Sequence, residues 1–123
     1  MQINSINQFT FGHKSILKTA YQQGLLPTVT KDFYGSPLTK DTVTLDHLLP
    51  KSKNGTSKLS NFVLATMKNN STRGNKPLSN VFNQEAFEAY CEQFKGVKIP
   101  FFNGDEYIKQ ISKTIEKLLM NGK

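Results

Sequence analysis

Apolar residues recur at intervals of three and four positions in three stretches of the chain, which is the spacing of one helix face. The first stretch predicts a helix over residues 9–24, and Gly24 marks its end. The second predicts a helix over residues 83–95 with Asn83 as its N-cap, and the third predicts a helix over residues 105–120. We expect these apolar stripes to pack against a core.

Two short runs of β-branched and apolar residues predict strands in the middle of the chain. Residues 42–45 alternate in the manner of a half-buried strand, and residues 62–65 form a second apolar run. Between them, residues 50–60 are rich in Lys, Ser, Asn, Gly and Thr, which predicts an exposed loop. Residues 66–73 are polar and predict a short helix after the second strand. This order of elements, with further helices on both sides, indicates an α+β fold.

The length and composition fit one folded domain that covers residues 1–123. No apolar run approaches the ~20 residues that a membrane span needs, and the first residues lack the basic and then apolar order of a signal peptide. Cys91 is the only cysteine, which excludes an internal disulfide and a zinc site built from several cysteines. We therefore expect a cytoplasmic protein with no membrane partner.

The charge of the chain is unevenly distributed and favours a polyanionic partner. Sixteen Lys and Arg residues against nine Asp and Glu residues give a formal net charge of +7. From His47 to Gln84 there is no acidic residue, so a stretch of 38 residues carries one sign of charge. Such a stretch is typical of a surface that faces phosphates, although a purely solubilising charge has the same signature. The basic residues in it are Lys51, Lys53, Lys58, Lys68, Arg73 and Lys76.

Three polar residues near the predicted strands can supply hydrolytic chemistry. Asp46 and His47 end the first strand, and Asn70 lies in the helix after the second strand. An Asp carboxylate and an Asn amide oxygen suit a hard cation such as Mg²⁺, whose remaining ligands are water and a phosphate oxygen. A neutral His beside them can take a proton from water near pH 7, because the ordinary pKa of His is about 6.5. The set meets the minimum for metal-assisted phosphodiester hydrolysis.

Each of these residues also has an ordinary structural interpretation. Asp46 could cap a turn beside an exposed His47, and Asn70 could be a helix N-cap. Asn69 could equally fill the position given to Asn70, so the two asparagines are alternatives.

The spacing of these residues resembles that of the HNH endonucleases, which have the ββα-metal fold. The similarity covers residues 42–78. In that family an Asn follows the catalytic His by fourteen residues and a metal-binding Asn or His comes about nine residues later, as Asn61 and Asn70 follow His47 here. The resemblance implies a ββα-metal core over about residues 31–78, flanked by one N-terminal and two C-terminal helices. Further matches are Pro50, Ser52, Gly55 and the pair Arg73-Gly74.

The resemblance also implies a role for each matched residue. His47 would be the general base, and Asn61 would hold the loop so that His47 keeps its orientation. Asp46 and Asn70 would bind one Mg²⁺ or Mn²⁺ ion. Arg73 would contact a phosphate next to the scissile bond. The lysines expected on the DNA backbone are Lys51, Lys53, Lys58, Lys68 and Lys76.

The sequence departs from many family members in one respect. They carry two Cys-x-x-Cys pairs that bind a structural zinc, and no cysteine occupies the corresponding positions here. We therefore expect a variant without structural zinc, in which apolar packing around Phe33 and Tyr34 stabilises this region. The four positions are Lys31, Tyr34, Thr66 and Asn69.

The resemblance implies a metal-dependent endonuclease that nicks or cuts DNA. One such site cleaves one strand, so a double-strand break would require a dimer or a partner enzyme. In its length the chain is similar to the small, free-standing HNH proteins of phages and mobile elements. If it is encoded by a phage, its location would be the cytoplasm of the host cell. Two alternatives stay open: a basic nucleic-acid-binding protein that is inactive alone or activated by a partner such as phage packaging machinery, and a toxin nuclease. RNA and DNA junctions also stay open as substrates.

Overall fold

A computed structural model describes residues 15–122, with the backbone alone for Ser15. These residues form five α-helices and two antiparallel sheets of two strands each, which confirms the α+β prediction. The helices are α1 (Ser15–Gln22), α2 (Met67–Arg73), α3 (Leu78–Val81), α4 (Gln84–Glu92) and α5 (Gly104–Met120). The strands are β1 (Val43–His47), β2 (Phe62–Thr66), β3 (Lys98–Ile99) and β4 (Phe102–Asn103).

The sequence pattern locates most of these elements. Both predicted strands are present as β1 and β2, and the helices predicted over residues 66–73, 83–95 and 105–120 are present as α2, α4 and α5. The predicted helix over residues 9–24 corresponds to α1, and its part before residue 15 lies outside the described residues. The short helix α3 and the β3–β4 hairpin are not predicted, because elements of four and two residues are too short to give a periodic signal.

Side-chain caps fix where the helices begin. Thr66 Oγ1 accepts a hydrogen bond from the backbone N–H of Asn69, so α2 begins directly after β2 without a loop. Asn83 is the N-cap of α4, as the sequence predicts, and Asn103 caps α5 in the same way. The direct junction between β2 and α2 places α2 against β1.

β1 and β2 form an antiparallel hairpin in which Val43 lies opposite Thr66 and His47 lies opposite Phe62. The connection between the strands contains two short 3₁₀ turns, at Lys51–Lys53 and Leu59–Asn61. A hydrogen bond of 2.8 Å from Leu48 N to Asn61 O continues the pairing beyond the end of the strands. The end of β1 and the start of β2 are thereby held together at the base of the loop.

The edge of β2 that faces away from β1 is covered by polar groups from three other segments. Its peptide groups would otherwise be unpaired in the core, because all five residues of β2 are buried. Two tyrosine hydroxyls, one backbone N–H and one carboxylate pair with them, so the hairpin is fixed without a third strand. The bonds join Tyr107 Oη to Phe62 O, Leu64 N to Tyr90 Oη, Phe33 N to Leu64 O and Thr66 N to Asp32 Oδ2, over 2.8 to 2.9 Å.

The apolar core lies between this hairpin and the helices α1, α4 and α5. Leu17 of α1, Leu64 of β2, Tyr90 of α4 and Ile111 of α5 are completely buried. Removal of such side chains from water is the main favourable contribution to folding, and here it holds the helices around the hairpin. Within residues 15–122, no helix combines the length and the apolar character that a membrane span requires.

Candidate active site

Asp46 is a buried carboxylate on the side of β1 that α2 covers. Only 4 % of its surface is exposed. Its Oδ2 accepts a hydrogen bond from the Tyr34 hydroxyl, and its Oδ1 lies 3.6 Å from Nη1 of Arg73. Burial raises the pKa of Asp46, while the Tyr34 hydrogen bond and the Arg73 charge oppose that shift. The two partners thus favour the charged form of Asp46 against the effect of burial, which is the larger one.

The phenol of Tyr34 is a fixed donor to Asp46. Burial, and next the charge of Asp46, raise the pKa of Tyr34 well above its ordinary value, so the hydroxyl keeps its proton. It holds Oδ2 of Asp46 on one side. Oδ1 faces Nη1 of Arg73 at 3.6 Å, which exceeds hydrogen-bond length, and the backbone N–H of His47 also donates to the carboxylate. Each carboxylate oxygen has two lone pairs, so Oδ1 retains at least one for another ligand.

Asn70 has an amide whose orientation its neighbours determine. Its Nδ2 donates to Oγ1 of Thr44 at 3.0 Å and to the carbonyl oxygen of Leu45 at 3.2 Å. A backbone carbonyl can only accept, so the nitrogen must face β1 and Oδ1 must face away from it. Oδ1 accepts no hydrogen bond from any residue that the structure describes, and the residue is half-buried. Asn70 therefore presents an amide oxygen whose orientation is fixed by the bonds of its nitrogen.

Asn69, the sequence alternative to Asn70, points to a different part of the molecule. Its Nδ2 donates to Oδ2 of Asp32 at 2.8 Å and to Oγ of Ser36 at 2.9 Å, in the loop before β1. Because Asn69 faces that loop and Asn70 faces β1, Asn70 is the one that approaches the side of β1 to which Asp46 points.

The donors around Asp46 are compatible with a divalent cation that has few protein ligands. Within residues 15–122, no group of three or more His, Cys, Asp and Glu side chains is arranged to hold a metal ion. The oxygens on this side of β1 that could contact a hard cation are Oδ1 of Asp46 and Oδ1 of Asn70, and water would supply its remaining ligands. Mg²⁺ is commonly bound through one or two carboxylates with water and substrate oxygens, so this donor set suits its chemistry. The nearby Arg73 charge would lower the affinity of such a site.

His47 presents its ring on the other face of the hairpin. Side chains alternate along a strand, so His47 and Asp46 point to opposite sides of β1. The imidazole lies over the ring of Phe62, with the ring centroids 4.5 Å apart, and it is half-buried. The structure thus brings Asp46 and Asn70 to one face and His47 to the other, all near the end of β1 where the loop begins.

Asn61 is buried, and both ends of its amide form hydrogen bonds with the backbone of the loop. Its Oδ1 accepts from the backbone N–H of Leu49 at 2.8 Å, and its Nδ2 donates to the carbonyl oxygens of Leu49 and Thr56 at 3.1 and 2.9 Å. Only 4 % of its surface is exposed. Asn61 is therefore in a position to fix the segment that follows His47, and it does not offer a free group to a substrate.

Arg73, which the resemblance implies would contact a phosphate, lies in the interior of the protein. The side chain is buried, with 2 % of the residue exposed. Its guanidinium donates to the backbone carbonyl oxygens of His47, Leu48 and Lys76. The carbonyls of His47 and Leu48 lie where the regular pairing of β1 ends, and Arg73 supplies a donor to each of them. It acts as a buried brace for the end of β1.

The lysines of the basic stretch lie on the surface, unlike Arg73. Lys76 Nζ donates to the carbonyl oxygen of Thr72 at 3.1 Å. None of the lysines forms an ion pair with a carboxylate of the described residues, so their positive charges remain available to an anionic ligand. The exposed set is Lys51, Lys53, Lys58, Lys68 and Lys76.

Asp32 is a structural centre that the sequence analysis does not identify. It is completely buried and joins the segment around residues 32–36 to the segment around residues 66–69. Its two oxygens each accept two hydrogen bonds, and this network adds to the expected apolar packing of Phe33, whose ring meets that of Tyr34 edge-on at 5.1 Å. The only signal in the sequence is an Asp before the Gly-Ser-Pro turn at residues 35–37. The donors are Tyr34 N and Ser36 N to Oδ1, and Thr66 N and Asn69 Nδ2 to Oδ2.

Comparisons with known proteins do not assign the chain to a family. No family model matches it, and no match is found among curated proteins or among solved structures. The functional interpretation therefore depends on the spacing of the residues and on the contacts described above.

Proposed function

We propose that this protein is a small metal-dependent endonuclease of the HNH type that hydrolyses phosphodiester bonds in DNA. The observation that carries the proposal is the pair of oxygens on one side of β1. Oδ1 of Asn70 is turned outward by two hydrogen bonds on its nitrogen, and Oδ1 of Asp46 keeps lone pairs although the residue is buried. His47, the next residue along β1, supplies a base at the same end of the strand.

In this mechanism His47 removes a proton from the attacking water. An imidazole is suited to that step near neutral pH, because its neutral form is abundant there. Arg73 binds the carbonyl of His47 and Asn61 binds the peptide two residues later, so the backbone that follows the imidazole is fixed. A base held in this way need not be reoriented when the substrate binds.

Asp46 and Asn70 would hold the divalent cation, Mg²⁺ or Mn²⁺. When bound, the cation would stabilise the negative charge that develops on the phosphate and on the leaving oxygen. Tyr34 and Arg73 orient the carboxylate of Asp46 from two sides. Because His47 and Asp46 point to opposite faces, the scissile phosphate would lie across the end of β1, where it can meet both.

The surface charge supports a polyanionic substrate. The loop after β1 carries Lys51, Lys53 and Lys58, all exposed and none in an ion pair with a described residue. Lysines at these positions would contact phosphates on either side of the cleaved bond, and most of the binding free energy would then depend on salt. A single site of this kind cuts one strand, so double-strand cleavage would need a second copy or a partner enzyme.

A second function is favoured by one observation, the burial of Asp46. Its carboxylate is 4 % exposed and already paired with Arg73 and Tyr34, so a cation must compete with groups that are in place. A basic nucleic-acid-binding protein that cuts only after a partner opens the site is compatible with this arrangement. The two functions differ in whether the isolated protein cleaves.

The test uses a duplex DNA labelled at one end, with single-stranded DNA and RNA of the same sequence as further substrates. The proposal predicts cleavage in Mg²⁺ or Mn²⁺, none in chelator, and products with 5′-phosphate and 3′-hydroxyl ends. His47→Ala should lose cleavage and keep DNA binding. Lys98→Ala, an exposed lysine on β3 outside the acid-free stretch, is the matched surface control and should cut like the wild type. A folded wild type that binds DNA without cutting it would favour the binding protein instead.

A further inference from the structure

A cleft of about 240 Å³ lies between the loop after β1 and the C-terminal half of α5. It is separate from the face of the hairpin on which Asp46 and Asn70 lie, and neither of these residues lines it. The loop and the turn that follows it form one wall, and α5 forms the other. The lining includes Leu49, Lys58, Ser60 and Asn61 on the first wall, and Lys117 and Leu118 on the second.

The lining of this cleft has the chemistry of an anion site with an apolar floor. Lys58 and Lys117 stand on opposite walls, both are exposed, and neither forms an ion pair with a described residue. No acidic residue is among the described residues that line it. The Ser60 hydroxyl makes no hydrogen bond to the part of the chain that the structure describes, so it can donate to a ligand.

We propose that this cleft binds the phosphodiester backbone of a nucleic-acid strand at a nucleotide beside the one that is cleaved. Two ammonium groups and a free hydroxyl match the oxygens of a phosphate, and the side chains of Leu49 and Leu118 match the apolar surface of the adjoining sugar. The position beside the cleaved nucleotide rests on the proposed function. The binding of the backbone itself does not.

Both walls of the cleft are held in place by hydrogen bonds and packing within the protein. Asn61 binds Leu49 and Thr56 through three hydrogen bonds, so the loop wall is fixed at two points. The second wall packs along the Leu59–Asn61 turn, and Tyr107 of α5 donates to the carbonyl oxygen of Phe62 at 2.8 Å. The site is therefore preformed, which lowers the ordering cost of binding.

The cleft also adjoins the proposed base. Asn61, on its wall, directly precedes Phe62, whose ring lies against the imidazole of His47. Leu49, on the same wall, comes two residues after His47. A strand with one phosphate at His47 can therefore continue along this wall. Lys117 extends the basic surface to a helix that lies outside the acid-free stretch of the sequence.

The test measures the affinity of the full chain for a fluorescent DNA duplex in chelator, where no cleavage can occur, across a range of salt concentrations. Lys117→Ala should bind at least about threefold more weakly at low salt, and its plot of log affinity against log salt should be about one unit less steep. Lys109→Ala removes the same charge from the same helix outside the cleft and should change the slope much less. Equal slopes for the two variants would overturn the proposal.

A double-mutant cycle separates a shared phosphate from general surface charge. If Lys58 and Lys117 contact one phosphate, the loss in the double variant should be smaller than the sum of the two single losses. Lys58 and Lys109 should be additive. The proposed phosphate site would be contradicted by additive losses of affinity in both pairs, or by a wild type that does not bind DNA. A wild type that binds DNA with these couplings but does not cut it would support the phosphate site in the cleft and contradict the proposed nuclease activity.

Discussion

The guanidinium of Arg73 lies 3.6 Å from the carboxylate of Asp46, and both side chains are almost completely buried. The pair joins α2 to the end of β1 at the place where the proposed catalytic residues meet. Arg73 also donates three hydrogen bonds to backbone carbonyls. Its positive charge faces Asp46, and its N–H groups bind the backbone. A residue expected to contact the substrate therefore stabilises the site from within.

Replacing Arg73 should destabilise the whole protein. Arg73→Ala leaves the Asp46 charge buried without its partner and removes the donors from three carbonyls, which should lower the free energy of unfolding by about 3–5 kcal/mol. Urea denaturation measures this loss. Lys76→Ala, on the exposed side of the same turn, is the control and should stay within about 0.5 kcal/mol of the wild type. An Arg73→Ala variant as stable as that control would contradict the assignment of Arg73 as a buried brace.

Position 61 should require an amide side chain, because Oδ1 of Asn61 accepts a hydrogen bond while Nδ2 donates two. Asn61→Asp keeps the acceptor for Leu49 N but turns an oxygen toward the carbonyls of Leu49 and Thr56. We expect Asn61→Asp and Asn61→Ala to lose comparable stability, about 2–3 kcal/mol each.

The same variants should expose the loop to trypsin, which cuts after its lysines. The rate of cleavage between residues 50 and 60, followed by mass spectrometry, should rise in both. Ser57→Ala, in the exposed part of the loop, should leave the rate unchanged. Wild-type resistance of Asn61→Asp would show that the amide is not required.

Asp32 should be as sensitive to substitution as a structural metal ligand. Asp32→Asn would direct an NH₂ group toward N–H donors, and at least one of the four hydrogen bonds would be lost with a buried donor unpaired. We expect a loss of about 2–4 kcal/mol in the free energy of unfolding. The exposed Asp41→Asn is the control in the same denaturation experiment. A loss no larger than that of the control would mean that apolar packing alone supports this region.

Cys91 should react slowly with thiol reagents. Burial raises the pKa of its thiol to about 11. Only the thiolate is reactive, so at pH 8 roughly 0.1 % of the folded protein carries the reactive form. The rate of alkylation should rise about tenfold for each unit between pH 8 and pH 10. Protein unfolded in urea should react faster at pH 8, and a folded-state rate that levels off near pH 9 would contradict the raised pKa.

The sequence could predict the two strands of the hairpin and one helix cap, because these are local features. Alternation at residues 42–45 and the run at residues 62–65 depend on neighbours in the chain, and so does the N-cap at Asn83. The role of Arg73 could not be predicted in this way. A basic residue among lysines indicates a solvated face, and nothing nearby in the sequence reveals that this guanidinium donates to the carbonyls of His47 and Leu48.

The same limit applies to Asp32 and to the choice between Asn69 and Asn70. Each depends on which segment lies across from it, and those partners are more than twenty residues away in the sequence. The side-by-side position of the asparagines does not reveal that one faces the loop before β1 and the other faces β1. That difference arises only when α2 docks on the hairpin.

The most direct measurement of the central claim is the relaxation of supercoiled plasmid by the purified protein, beside His47→Ala at the same concentration. We predict nicked or linear DNA with Mg²⁺ or Mn²⁺, intact plasmid with chelator, and a loss of at least about a hundredfold in the variant. Both proteins should bind the plasmid equally in chelator. Metal-independent cleavage, or a folded His47→Ala that cuts as fast as the wild type, would contradict the account.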